Sequence, residues 1–225
     1  MLVPGAGGQG WYWHRLVPEL ERRGHAAVAV DLPAGDETAG LAAYADAVVA
    51  AAGRRSPLVV VAQSLGGLTA PLVCGRLPVE LLVLVNAMIP LPGETGGDWW
   101  TATGQRNARS EYWMRAGIPG DPDDDAVMYF HDVPPDVTAA ALRRPFAQSG
   151  RPLTDPWPLP AWPDVPTRVL AGREDRLFPA DFQRRVAADR LGIEVDVMPG
   201  GHLLPLSRPV DLADRLEDYL VSLGR

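Results

Sequence analysis

Apolar and polar positions alternate along this chain in short blocks. Leu2-Val3 opens as a strand, a helix is predicted near Trp13 to Arg23, and a strand over Ala26 to Val30. A second helix follows near Gly40 to Ala52. Leu58 to Val61 is four apolar residues in a row, the pattern of a short buried strand. Apolar residues of helical character follow Ser64, and Leu81 to Asn86 returns to strand. The rhythm breaks at Ile89-Pro90-Leu91-Pro92-Gly93 and resumes with a strand at Thr167 to Ala171. A helix over Phe178 to Leu191 comes next. Ile193 to Met198 then alternates apolar and acidic residues, as a half-buried strand does. The chain closes with a helix from about Val210 to Leu223.

This order predicts an α/β fold: a mostly parallel sheet with helices on both faces. At 225 residues, one domain over 1–225 is expected. Segment 88–163 is rich in Pro, Trp and Asp. It reads as a small cap inserted over the carboxyl ends of the strands, where ligands bind in open α/β sheets. No internal repeat is evident.

Chemistry enters at Ala62-Gln63-Ser64-Leu65-Gly66-Gly67. A buried strand, a serine among small residues and a following helix outline a nucleophile elbow, the sharp turn that lifts a serine hydroxyl above a sheet. The usual spacing is Gly-x-Ser-x-Gly, and Ala62 stands at the first glycine. Small residues are needed because strand and helix pass closely and the serine backbone is strained. The bland alternative is Ser64 as a helix cap.

An activated serine needs a base and an acid to orient it. The chain has four histidines: His14, His25, His131 and His202. Only His131 and His202 follow Ser64. His202 stands just past the last predicted strand, beyond the turn Pro199-Gly200-Gly201, and is the predicted base. Asp175, in the exit loop Gly172-Arg173-Glu174-Asp175, is the predicted acid, with Glu174 as its near rival and Asp132 as a distant one. Asp175 also suits a simpler role at the start of a helix.

The Gly-rich start, Val3-Pro4-Gly5-Ala6-Gly7-Gly8, can turn backbone N–H groups toward a developing oxyanion. The Ala6 N–H takes that role here, paired with the N–H of Leu65. The same glycines fit the dinucleotide spacing Gly5-x-Gly7-x-x-Gly10, with Asp31 about 20 residues on. Trp11-Tyr12-Trp13 would crowd such a site, and the dinucleotide pattern leaves Ser64 and His202 unused. No phosphate-loop lysine is present.

Taken together, these segments resemble the α/β-hydrolases, and within them the small methylesterase and hydroxynitrile-lyase branch. The resemblance rests on Val3-Pro4-Gly5-Ala6-Gly7 with Trp11-x-Trp13, on Gly24-His25 and Asp31-Leu32-Pro33, and on the Ser64 elbow. It continues through Tyr129-Phe130-His131-Asp132, Gly172-Arg173-Glu174-Asp175 and Gly201-His202-Leu203-Leu204-Pro205-Leu206-Ser207-x-Pro209. The family usually has His-Gly where this chain has Pro4-Gly5. Its first strand is usually longer than Met1-Leu2-Val3, so a few N-terminal residues are expected to be missing. The lyases of this branch use a lysine after the histidine. Here Leu203 follows, and all 21 basic residues are Arg. The resemblance therefore implies an esterase-like serine hydrolase acting on a small, rather hydrophobic ester through an acyl-enzyme.

Two alternatives stand beside it. One is a cofactor-free decarboxylase, cyclase or perhydrolase that borrows the same residues. The other is a small-molecule receptor with vestigial turnover. Five of the seven tryptophans lie in segment 88–163. Trp99, Trp100 and Trp113, with Leu203, are predicted to wall a substrate pocket, against the alternative that such side chains simply build a small core.

The formal charge of −7 and a sequence pI near 5.1 argue against nucleic acid or an anionic membrane as partner. The single cysteine, Cys74, permits no internal disulfide and reads as a packing residue. No cofactor or metal is expected, and Asp121-Pro122-Asp123-Asp124-Asp125 reads as a solvated turn. No leader or membrane-spanning run is visible, so a cytoplasmic enzyme is expected, and a homodimer is compatible with the sequence.

Overall fold

A computed structural model describes residues 1–224. Five strands pair in one wholly parallel sheet whose spatial order follows the chain: β1 (Leu2–Val3), β2 (Leu58–Gln63), β3 (Val79–Val85), β4 (Thr167–Gly172) and β5 (Val195–Met198). Helices α1 (Val17–Arg22), α2 (Leu41–Ala52) and α3 (Gly66–Val73) fall between the first three strands. Five short helices lie between β3 and β4: α4 (Gly96–Ala102), α5 (Gln105–Ala116), α6 (Asp125–Met128), α7 (Pro135–Leu142) and α8 (Arg151–Thr154). After β4 come α9 (Ala180–Leu191), α10 (Leu204–Ser207) and α11 (Pro209–Ser222).

The central strands β2 and β3 are apolar at successive positions because both faces of the sheet are covered. Val60, Ala62, Leu82, Leu84 and Val169 point into one core with α2, α3 and α9. Val61, Leu81, Val83, Val85 and Leu170 point into the other, with Trp13 and the apolar stripe of α11. No described helix is long and apolar enough to cross a membrane.

Three predicted elements form differently. Ala26 to Val30 runs beside β1 but is not a strand. Leu2 donates to the Val28 carbonyl at 2.8 Å and accepts from the Val30 N–H at 3.0 Å, making a single bridge to Ala29. The two residues of β1 leave no further ladder to build. The predicted helix over Trp13 to Arg23 divides into a 3-10 turn at Gly10–Trp13 and the shorter α1, in whose first turn Pro18 needs no hydrogen-bond acceptor. The helix predicted from Phe178 starts two residues later, after Pro179.

Candidate active site

Four consecutive strand ends supply the site. After β2 the chain turns sharply at Ser64, whose φ of 54° is left-handed. A residue other than glycine held there stores strain, about 1–3 kcal/mol. Crowding enforces the turn. A Cβ on Gly67 would lie 2.0 Å from the Met88 carbonyl oxygen, and one on Gly66 would lie 2.7 Å from that of Pro4. Only glycine lets α3 start this close to its neighbours. The cap of α3 is Leu65, not Ser64, so the serine hydroxyl is not committed to the helix.

That hydroxyl lies 3.0 Å from His202 Nε2. His202 Nδ1 donates to Asp175 Oδ2 at 2.8 Å. Asp175 is fully buried, and its second oxygen accepts the N–H groups of Leu177 and Phe178, each at 2.9 Å. Both carboxylate oxygens are thus engaged and the group cannot rotate away from the imidazole.

Both rival acids serve the loop that carries the histidine. Glu174 Oε2 accepts the Gly200 N–H, and Asp132 Oδ2 accepts the Gly201 N–H at 2.7 Å. They brace the turn before His202 rather than its ring.

Asn86 and Gln63 were not singled out from the sequence. Asn86, buried at the end of β3 with φ 46°, donates from Nδ2 to the carbonyls of Gly201 and His202, each at 3.0 Å. Its Oδ1 accepts the Gly172 N–H at 2.7 Å and Gln183 Nε2 at 3.1 Å. Gln63 Nε2 adds a bond to the His202 carbonyl at 3.2 Å. The available signal was a lone amide closing the apolar run Leu81 to Val85, a residue type that tolerates positive φ.

A cavity of about 400 Å³ opens over Ser64 and His202. Trp100, Tyr129, Phe130, Leu177, Phe178 and Leu203 give it a largely apolar wall, and Ala6 and Leu65 reach it beside the serine. Neither the Ala6 nor the Leu65 N–H donates to another described residue. Trp99 and Trp113 are not on the wall. Trp99 is 1% exposed, packs on Phe178 and Phe182, and donates to the Ile89 carbonyl. Trp113 donates to the Arg176 carbonyl. Their expected place at the pocket gives way to core packing, because each indole N–H finds a backbone acceptor inside the protein.

Asp31, the acid of the dinucleotide spacing, accepts the Gly10 N–H at 2.7 Å. It holds the Gly-rich loop itself. Among the described residues no cluster of three or more His, Cys, Asp or Glu could hold a metal ion.

The model of the alpha/beta hydrolase family matches residues 1–215. The chain belongs to the alpha/beta hydrolase family. The chain is 26% identical to methyl jasmonate esterase 1 of Vitis vinifera, over 99% of this chain and 96% of that protein. It is 36% identical to esterase PIR7B of Oryza sativa subsp. japonica over 110 residues, 43% of this chain. That match spans 41% of the rice protein's length, as do the matches to its rice relatives. Among solved structures, a pyrethroid hydrolase from Sphingobium faniae JZ-2 superposes with a TM-score of 0.77 at 21% identity, covering 97% of this chain and 95% of that one. The chain therefore shares its fold with that structure.

Proposed function

We propose that the protein is a serine hydrolase that cleaves a small, rather hydrophobic ester. The observation that carries this reading is the hydrogen-bonded series Ser64–His202–Asp175 at the floor of an apolar cavity. Relatives named as esterases, one of them for methyl jasmonate, support it. Residues 88–163 act as the cap, and Trp100 and Leu203 contact the substrate.

In the proposed reaction His202 Nε2 takes the Ser64 proton as Oγ attacks the acyl carbon. The N–H groups of Ala6 and Leu65 hold the oxyanion. The leaving alkoxide departs with the proton from His202, and the acyl group stays on Ser64. His202 then deprotonates water, which attacks the acyl-enzyme and releases the acid and the serine hydroxyl. Asp175 keeps the imidazole in the tautomer and orientation both steps require.

The test is labelling with a fluorophosphonate probe alongside hydrolysis of short p-nitrophenyl esters, in wild type, Ser64→Ala and His202→Ala. Labelling and turnover in wild type, with rate losses approaching about 10⁶-fold in either variant, are expected. An unlabelled Ser64 with turnover indifferent to both substitutions would remove the serine mechanism.

A further inference from the structure

The loop of residues 5–10, which carries Ala6, is held from two sides. On the sheet side Asp31 takes the Gly10 N–H, and the Gly8 carbonyl accepts the Leu32 N–H at 2.7 Å. On the other side runs segment 144–149, far downstream in sequence. Gln9 Nε2 donates to the Pro145 carbonyl at 2.6 Å, and Gln9 Oε1 accepts from Arg144 Nε at 2.7 Å. The Phe146 ring lies against Gly7, where a Cβ would come within 2.8 Å of it. Gln148 Oε1 accepts the Gly7 N–H at 2.9 Å.

The Gln148 amide is itself fixed. Its Nε2 donates to the Tyr44 hydroxyl at 3.1 Å and to the Ser149 carbonyl at 2.9 Å. Gly7 can only donate through its N–H, and the Ser149 carbonyl can only accept. The two neighbours therefore dictate which way round the amide stands. Gly7 and Gly8 both have positive φ, 83° and 62°. Gly8 donates to the Gly5 carbonyl at 3.1 Å and closes a turn around Ala6 and Gly7, but two glycines in succession leave that turn easily deformed, so the outside contacts are needed to hold it in one shape.

We propose that Gln148 is a positioning residue for the oxyanion donor. By taking up the Gly7 N–H it fixes the Ala6–Gly7 peptide and withdraws that N–H from the reaction. The unpartnered Ala6 N–H is left as the loop's donor to the oxyanion. This inference rests on the serine-hydrolase reading above.

The test compares wild type, Gln148→Met and Tyr44→Phe with p-nitrophenyl acetate, a substrate small enough to limit contact with position 148. Thermal melts establish that each variant is folded. Gln148→Met keeps the bulk and removes the acceptor. It is expected to lower kcat about 10-fold or more, a share of the roughly 10²- to 10³-fold cost of losing an oxyanion donor. KM stays within about twofold, and exchange of the Gly7 amide hydrogen quickens. Tyr44→Phe frees only Gln148 Nε2 and lowers kcat in the same direction by less, which provides the test should Gln148→Met not fold. A folded Gln148→Met with kcat within about twofold of wild type, or with a change confined to KM, overturns the proposal. So does an unaltered Tyr44→Phe if that is the only variant that folds. A wild type without turnover overturns instead the serine-hydrolase reading on which it stands.

Discussion

Asp175 and Glu174 are adjacent in sequence and bond to different groups. Asp175 meets the His202 ring, whereas Glu174 meets the backbone of Gly200. Asp175→Asn preserves shape but presents an amide to Nδ1, which favours the wrong tautomer. It is expected to lower kcat by about 10⁴-fold on p-nitrophenyl esters. Glu174→Gln weakens one brace of the loop and is expected to cost less than about tenfold. A larger loss in Glu174→Gln than in Asp175→Asn would reverse the two roles. Ser64, Asp175 and His202 could be placed from the sequence because each stands a few residues or fewer past a legible strand, where the chain must turn. Trp99 and Trp113 could not be assigned in the same way. Composition tells that an indole will be buried, but the acceptor of its N–H, here the Ile89 or Arg176 carbonyl, depends on how separate elements meet.

At the scale of elements, long apolar runs carried the strongest signal. Strands β2 and β4 and helices α2 and α11 lie within a residue or two of where their periodicity puts them. Residues 26–30 have strand composition, but a strand also needs a ladder, and β1 ends after two residues. Asn86 belongs to this scale because it joins three strand ends. It links the loop after β3 to Gly172 at the end of β4 and to Gly201 and His202 after β5. Asn86→Ala would leave the Gly201 carbonyl and the Gly172 N–H without these partners, at a site with a left-handed backbone. Urea unfolding is expected to register a loss of about 2–4 kcal/mol. Turnover should also fall, because the His202 carbonyl would keep only Gln63. A stability within about 0.5 kcal/mol of wild type would show that the network does not hold these ends together.

Across the whole molecule, the parallel sheet brings Ser64, Asn86, Asp175 and His202 to one edge, since all four strands end on the same side. Segment 88–163 reaches that edge through His131 and Asp132. Asp132 bonds to the Gly201 N–H, and a Cβ on Gly201 would lie 2.7 Å from His131 Nε2. His131 Nε2 is buried and has no hydrogen-bond partner among the described residues. Burial, and then the nearby Arg176 guanidinium, hold the His131 pKa below its usual value, against the opposing pull of Asp132, a hydrogen bond with the Glu174 backbone, and Asp175. The neutral form is therefore favoured in the folded protein. As pH falls below the unfolded value of about 6.5, the unfolded chain takes up this proton first. The stability that His131 contributes at neutral pH is thus lost as pH falls through that value toward the lower folded pKa. Thermal melts between about pH 7 and pH 5 should show a steeper decline in wild type than in His131→Gln, which has no group to protonate. Equal slopes would mean that protonating His131 does not strain the contact between segment 88–163 and the loop bearing His202. A shallower wild-type slope would mean that Asp132, the Glu174 backbone and Asp175 together outweigh burial and Arg176.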